Sequence, residues 1–375
     1  MPRTTVDRLR SDVLDRLKER FVGRDDVIEL IALAIVAGEH LFLHGPPGTA
    51  KSALIRQFAL LINGRYFEYL LTRFSEPNEV FGPIDLIRLR EGEVATVTKG
   101  MLPESEFVFL DELFNANSAI LNSLLSVLNE RVYRRGAETH QLPLLSLFAA
   151  SNHLPEDDAL QALFDRFLLR CHVSPLKRED MPALLSAGWA LERPPLNETA
   201  LSADDLRALS AQVLHVDLSG VLEPYTELIF KMRDLGIGLT DRRAVKALKL
   251  VAASALLAGR KAAQLSDLWP LRYLWDREEQ IGLLGTVVNG ALVTETTQSE
   301  SHPMARPMET GDADEIARRI ASIQQQMENG RLSLVQIARV REEVANLADK
   351  AAWLADEEPR QHLLGLTTRI LETLG

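Results

Sequence analysis

The chain opens on charged residues punctuated by Val6, Leu9, Val13, Leu14 and Leu17, a spacing that predicts an amphipathic helix over residues 6–20. Phe21-Val22-Gly23-Arg24 breaks it, and a second, more apolar helix runs to about Ala37. The period then changes. "HLFLH" (40–44) reads as a short buried strand, a glycine-containing loop follows, and "SALIRQFALLIN" returns to helical spacing. "YFEYLL" (66–71) predicts a second strand and "FVFLDE" (107–112) a third that ends in two carboxylates. "LPLLSLFAASN" (142–152) contains a fourth, ending at Asn152. A Pro/Gly-rich segment and the long helical stretch "SAILNSLLSVLNER" lie between them. Strands alternating with helices over residues 1–180 predict an α/β domain, a parallel sheet with helices on both faces.

The strand signal stops after "SPLKRED" (174–180). Ser202 to Asp205 has the form of a capping box, Pro224 sits early in a further helix, and Thr240 caps "DRRAVKALKLVAASALLAG". Residues 181–292 are therefore expected to be an all-α domain. The polar stretch 294–312, with two prolines, reads as a linker or loop. About three amphipathic helices follow in a third region, 293–375, and should form a small bundle that also leans on a neighbour. No internal repeat is visible.

Composition narrows the class. The 375 residues carry a formal net charge of −11, which argues against a large nucleic-acid surface. The one cysteine, Cys171, excludes an intramolecular disulfide, suits a reducing compartment, and reads as a small buried apolar residue. The first twenty residues lack the apolar core of a signal peptide, and "VIELIALAIVAG" is too short to span a bilayer and contains Glu29. A soluble, cytoplasmic protein without membrane insertion is expected.

The chemistry concentrates at Gly45-Pro46-Pro47-Gly48-Thr49-Ala50-Lys51-Ser52, a phosphate-binding loop except that Ala50 stands where the pattern has glycine. Such a loop turns successive backbone N–H groups inward at a helix start whose dipole also favours anions. Lys51 is expected to reach the outer phosphates and Ser52 to join a magnesium shell. Ala50 costs up to about 1 kcal/mol if it needs a left-handed backbone. Asp111 and Glu112 end an apolar strand that can lie beside the loop strand. Asp111 is then placed to hold magnesium through water, and Glu112 to activate the attacking water. Asn152, at the end of another strand, is a candidate for the γ-phosphate side of that water. His40, His44, His153 and His172 show no metal-ligand spacing, so no metal beyond the nucleotide's Mg2+ is expected.

Together, "FVGRDDVIELI", "GPPGTAKS", "FGP", "FVFLDELFNANSAILNSLLSVLNER", "AASNHLPEDDALQALFDRFLLR" and "GLTDRRAVKAL" resemble the AAA+ ATPases, within them the MoxR family, over residues 20 to about 290. The wording is closest to the RavA (regulatory ATPase variant A) branch, where the Ala50 form of the loop looks typical. This resemblance implies a P-loop NTPase core, an all-α lid, and ATP with Mg2+ as ligands. It implies that Asn152 is sensor 1 and that Arg166 is an arginine finger reaching a neighbouring subunit, with Arg170 as the alternative. Sensor 2 falls on the helix opened by Thr240, Arg242 being favoured over Arg243. Phe21-Val22-Gly23-Arg24 would lie against adenine, with Phe21, Val22 and Gly23 as the binding residues. "PIDLIRLREGEVATVTKGML" resembles a helix 2 insert and "VYRRGAETHQLPL" a hairpin, both facing the pore or client in related rings. A finger in trans implies a homo-oligomeric ring, most often a hexamer. The family also implies a separate partner with a von Willebrand factor A domain. Some RavA-branch members carry an extra domain in the C-terminal helical region; with only linker and helices after about residue 290, none is expected here.

The function expected is ATP-driven remodelling or maturation of a protein client. A nucleic-acid motor or loader is the first alternative; the acidic total weighs against it, and "RVYRR" (131–135) is the one short basic cluster with an aromatic. A nucleotide-dependent scaffold with negligible turnover is the second, and Lys51, Asp111 and Glu112 argue against it.

Overall fold

The computed structural model describes residues 3–136, 138–155, 157–176, 178–191, 201–292, 301–305, 313–328 and 357–373, with Val340, Val344, Leu347, Ala348 and Ala351. In order, the elements are α1 (Thr5–Leu9), α2 (Asp15–Arg20), α3 (Asp25–Ala37), β1 (Leu41–His44), α4 (Lys51–Leu61), β2 (Tyr66–Leu70), α5 (Pro77–Phe81), α6 (Leu86–Arg90) and β3 (Phe107–Asp111). Then come α7 (Ser118–Glu130), β4 (Val132–Arg135), β5 (Glu138–Gln141), β6 (Ser146–Ser151), α8 (Asp158–Phe164) and β7 (Leu169–His172). Helices complete the chain: α9 (Met181–Leu191), α10 (Ala203–Ala211), α11 (Leu222–Asp234), α12 (Asp241–Leu257), α13 (Gln280–Leu292), α14 (Ala313–Glu328) and α15 (Glu357–Thr373).

Five parallel strands form the central sheet in the order β2-β3-β6-β1-β7. β1 and β6 are buried at every position, as strands covered on both faces must be. Two expectations change. β3 does not pair with β1, because β6 lies between them and its register continues both ladders. A fifth strand, β7, closes the far edge; Arg170 and His172 interrupt the apolar run that would have announced it. At the C-terminal edge of the sheet, Asp111, Ser151, His44 and His172 consequently end neighbouring strands, with His44 in register with both Ser151 and His172.

The first helix is interrupted by a π turn over Arg10–Leu14. Every residue of α3 from Val27 to Ala37 is buried, because the helix is sandwiched between the strands β1 and β7 and the later helices α10 and α12. Its Glu29 is neutralised there by Lys18, with Nζ 2.5 Å from Oε1.

Thr240 and Ser202 cap α12 and α10 through hydrogen bonds from the backbone N–H groups of Arg243 and Asp205. A 3-10 segment, Leu265–Tyr273, carries the fully buried Trp269, and Asp267 inside it accepts from Arg260 and Ser254. One apolar core runs without a break from Leu9 to Leu292, so the lid helices share it with the sheet. A second cluster, built on Ile316, Ile320, Ile323, Val344, Leu363 and Ile370, joins α14 and α15 into their own small bundle. Most of the expected linker 294–312 lies outside the described residues. The part that is described is anchored: His302 is buried and stacks on Trp269, with ring centroids 4.9 Å apart.

Candidate functional site

The loop between β1 and α4 is a run of tight turns with positive φ. Gly45 crosses so close to β7's continuation that a Cβ there would stand 2.2 Å from the Val173 carbonyl oxygen. Gly48, at φ 79°, faces open space. Ala50 is left-handed as well, at φ 62° and ψ 21°, so the residue that replaces glycine does adopt the costly backbone. Lys51 is buried, and its Nζ donates to the Gly45 and Pro46 carbonyls at 3.0 and 2.8 Å and to Thr49 Oγ1 at 3.3 Å. Burial lowers its pKa, with Asp111 and then Glu112 opposing that shift through charge. The ammonium is thus folded back onto neutral loop oxygens, with two carboxylates near enough to act on it. Ser52 follows at the second position of α4.

Asp111 ends β3, and Glu112 is again left-handed at φ 51°, its N–H donating to Asp111 Oδ1 at 3.0 Å. That backbone turn separates the directions of two consecutive carboxylates, so they need not compete for one position. Asn152 follows β6, between the loop strand and the carboxylate strand, and its Oδ1 is 2.8 Å from His153 Nδ1.

The segment 21–24 also reaches the loop, but with a different division of labour from that expected. The Phe21 ring belongs to the apolar core. Gly23 passes so close to Leu176 that a Cβ would lie 2.4 Å from its Cδ2. Arg24, expected with its neighbours on the adenine side, sends its Nε to the Thr49 carbonyl of the loop at 3.3 Å. Val22 sits between them, half-buried.

The four arginines fall into two pairs. Arg170 is fully buried; it donates to the carbonyls of Phe164, Phe167 and Trp275 and to Asp276, and lies 3.8 Å over the Phe164 ring. Burial, with Arg243 adding to it, lowers its pKa to about 10. A guanidinium so enclosed cannot extend into another subunit, which removes Arg170 as the alternative finger. Arg243 shares its carboxylate: Nη1 is 2.7 Å from Asp276 Oδ1, and the Gly238 and Leu274 carbonyls take the remaining donors named here. Arg166 and Arg242 line a small surface depression with Asp165, Leu168, Thr240 and Lys246, and Arg243 borders it as well. Arg166 Nε has no hydrogen-bond partner among the described residues, and Arg242 Nη2 donates to Asn129 at 3.0 Å.

With this geometry in view, the comparison with known families is decisive. Residues 7–211 match the model of the MoxR domain in MoxR-vWA-beta-propeller ternary systems. The chain belongs to the MoxR family of AAA+ ATPases. Residues 221–288 match an AAA lid domain. Two uncharacterized proteins of Methanocaldococcus jannaschii are similar at 38% identity over 268 residues (71% of each chain) and 37% over 279 residues (74% of this chain, 72% of the relative). Chaperone MoxR1 of Mycobacterium tuberculosis is 27% identical over 199 residues, 52% of this chain and 51% of that protein. A crystal structure from Cytophaga hutchinsonii superimposes with a TM-score of 0.62 at 19% identity, covering 78% of this chain and 96% of that one, and so shows the shared fold.

Within this MoxR chain, motif reading missed what depends on long-range packing. The contact of Arg24 with the Thr49 carbonyl is one such feature. The cluster of His44, His172 and Glu278 is another, since its members come from β1, β7 and the approach to α13. His40, by contrast, is structural: buried, its pKa pushed to about 3 chiefly by that burial, it accepts from the Leu147 N–H and meets the Leu128 carbonyl. Cys171 is buried too, and burial followed by the charge of Asp26 holds its thiol protonated. No helix among the described residues is long and apolar enough to cross a membrane.

Proposed function

We propose that this MoxR chain hydrolyses ATP with Mg2+, at sites completed between subunits of a homo-oligomeric ring, to remodel or mature a protein client. The observation that carries the reading is Lys51 itself: a buried ammonium bonded to neutral loop oxygens, with Asp111 and Glu112 beyond it at the same sheet edge. An ammonium held that way is pre-set to turn toward phosphate oxygens that bring the missing negative charge. Gly45 to Ser52 would cradle the phosphates, and Val22 and Gly23 would border the adenine side. The Ser52 hydroxyl and Asp111 are hard oxygen donors that suit Mg2+, which when bound would neutralise developing charge on the phosphates. Glu112 would take the proton of the attacking water, and Asn152 would orient that water from β6.

Arg166 and Arg242 line the same depression, which supports a common destination for both. In the proposed ring, most simply a hexamer, both would enter the neighbour's site, Arg166 as the finger and Arg242 as sensor 2. The proposed division is a core at 1–180, a lid at 181–292 and a C-terminal bundle at 293–375. A client-facing role for the insert is supported by the exposed Leu86, Ile87, Val94 and Val97, and Thr96 there bonds Glu138 of the hairpin. The description of the matching family, a ternary system, supports a von Willebrand factor A partner and adds a β-propeller protein as a second one. Placement near the RavA branch rests on motif wording, and a cytoplasmic location on the single cysteine, Cys171, which suits a reducing compartment.

The test uses purified chain with ATP and Mg2+. Lys51→Ala should abolish nucleotide binding, whereas Glu112→Gln should keep binding and lose turnover by at least about 100-fold. Ordinary hydrolysis by the Glu112→Gln protein would overturn the assignment. The same variant, held in ATP, should retain the client in a pull-down from extract.

A further inference from the structure

We propose that His44, His172 and Glu278 form a binding site for Zn2+, or a dication of similar preference, that ties the lid to the root of the phosphate loop. The site follows from the sheet. β1 and β7 pair in parallel register with His44 opposite His172, so the two imidazoles emerge side by side, with ring centroids 5.5 Å apart. Glu278 reaches them from the segment before α13. Its Oε1 lies 2.6 Å from His44 Nε2 and 3.2 Å from His172 Nδ1, and all three ligand atoms fall within 4.8 Å of one another.

The hydrogen bonding of His44 makes this more than proximity. His44 Nδ1 lies 3.2 Å from the Ser151 carbonyl oxygen, which can only accept, so Nδ1 carries the proton of that bond. In the neutral ring Nε2 is then a lone pair, and it points at a carboxylate oxygen. Two acceptors facing each other at this distance require a cation between them, either a second proton on His44 or a metal ion. A backbone carbonyl that fixes one imidazole nitrogen while the other points at a shared centre is the usual support of a metal-bound histidine. His44 is buried at 7% exposure, whereas His172 and Glu278 are open to solvent, so the site has a fixed floor and an entry path.

Two imidazoles and one carboxylate favour Zn2+, Co2+ or Ni2+ over Mg2+, which distinguishes this site chemically from the nucleotide's own ion. Tetrahedral ligands about 2.0–2.1 Å from zinc stand roughly 3.3 Å apart. His172 already meets that separation to Glu278, His44 meets it after a shift of the exposed glutamate, and the two imidazole nitrogens, within 4.8 Å of each other, would close on the ion through the exposed His172. Gly45, the first residue of the loop, follows His44 directly, while Glu278 belongs to the region that matches the AAA lid. An ion here would therefore fasten two parts that nucleotide-driven lid motion must separate or realign. The site itself does not depend on the proposed hydrolysis.

The experiment takes the full chain, stripped with a chelator and free of nucleotide, and titrates it with Co2+ and with Zn2+. The expected result is one ion per chain, a tetrahedral Co2+ absorption band, and a melting temperature raised by a few degrees with Zn2+. His172→Ala and Glu278→Gln, both at exposed positions, should each weaken binding at least about 10-fold, and a large excess of Mg2+ should not compete. Failure to bind either ion at about 100 μM would leave only a protonated His44–Glu278 pair and overturn the proposal. Binding that both variants leave unchanged would place the ion elsewhere and overturn it equally.

Discussion

Arg166 and Arg170 are four residues apart, and Arg242 and Arg243 are adjacent, yet each of these two neighbourhoods divides in the same way. One member is enclosed: Arg170 and Arg243 grip a single carboxylate, Asp276, and a set of backbone carbonyls. The other, Arg166 or Arg242, remains on a surface depression with few protein partners. A guanidinium is always charged and always carries five donors, so its role depends on who answers them. Where carbonyls and a half-buried carboxylate do so, the arginine pins the lid to β7. Where they do not, the charge is available to an anion arriving from outside. Burial pushes the Asp276 carboxyl up, and Arg243 and Arg170 together overcome this and hold it below the usual range, which keeps the clasp ionised at neutral pH.

The strongest test of this contrast is Arg166→Ala. If Arg166 serves a neighbour's phosphate, turnover should fall about 1,000-fold or more while the melting temperature stays within a degree or two. Mixing this variant with Glu112→Gln protein should restore part of the activity, because some interfaces then combine an intact finger with an intact carboxylate. Equal loss of stability and activity would place Arg166 with the clasp. Arg170→Ala should invert the pattern: about 3–5 kcal/mol of stability lost in urea unfolding, since Asp276 and three carbonyls lose donors in the interior. A fully stable Arg170→Ala protein with no turnover would return Arg170 to the site.

These divisions also show how far a linear reading extends. Lys51, Ser52, Asp111 and Glu112 could be singled out as candidates because their local setting is written by neighbours in sequence: a strand, a glycine turn, a helix start. Arg166 and Arg170 could not be separated that way, because the group that settles the matter, Asp276, lies 106 positions beyond Arg170. The preference for Arg242 over Arg243 came from the resemblance of "TDRR" to the family motif; the structure adds that one step of about 100° along α12 turns Arg243 inward and leaves Arg242 outward. Sheet order was invisible because β3, β6 and β1 are all apolar runs that any neighbour could cover. For the same reason His44 and His172 looked unrelated until β7 was seen to pair with β1.

A second interior clasp offers a finer version of the comparison, at Glu29 in α3. Burial alone would raise its pKa, but His302, 3.3 Å away though poorly aligned, and Lys18 bring it from 4.5 to about 2. A carboxylate with a depressed folded pKa stabilises the fold above its unfolded pKa, and that stability disappears as pH falls through the folded one. Glu29 should therefore contribute up to about 3 kcal/mol that is present above pH 4.5 and drains away toward pH 2. Urea unfolding of native and Glu29→Gln protein across that range should converge at the acid end. A Glu29→Gln curve that stays parallel to the native one down to pH 2 would show that the carboxylate is not the titrating partner.

The smallest expected effect concerns the loop's departure from pattern. Ala50 and Glu112 are both non-glycine residues in the left-handed region, one in the loop after β1 and one directly after β3. For Glu112 the strain accompanies a side chain that the proposed chemistry needs; Ala50 supplies only a methyl group. Ala50→Gly relieves roughly 1–2 kcal/mol of backbone strain but gives the unfolded chain more freedom, worth about 0.4–1 kcal/mol in the opposite direction. The net should be a gain of about 0.5 kcal/mol, seen as a slightly later urea midpoint with an unchanged slope and nearly unchanged ATP affinity. A loss of stability would mean that Ala50 is not left-handed in the folded loop. A gain in stability with weakened binding would be more instructive: the methyl group would then be holding the cradle open, and the alanine would be part of the site.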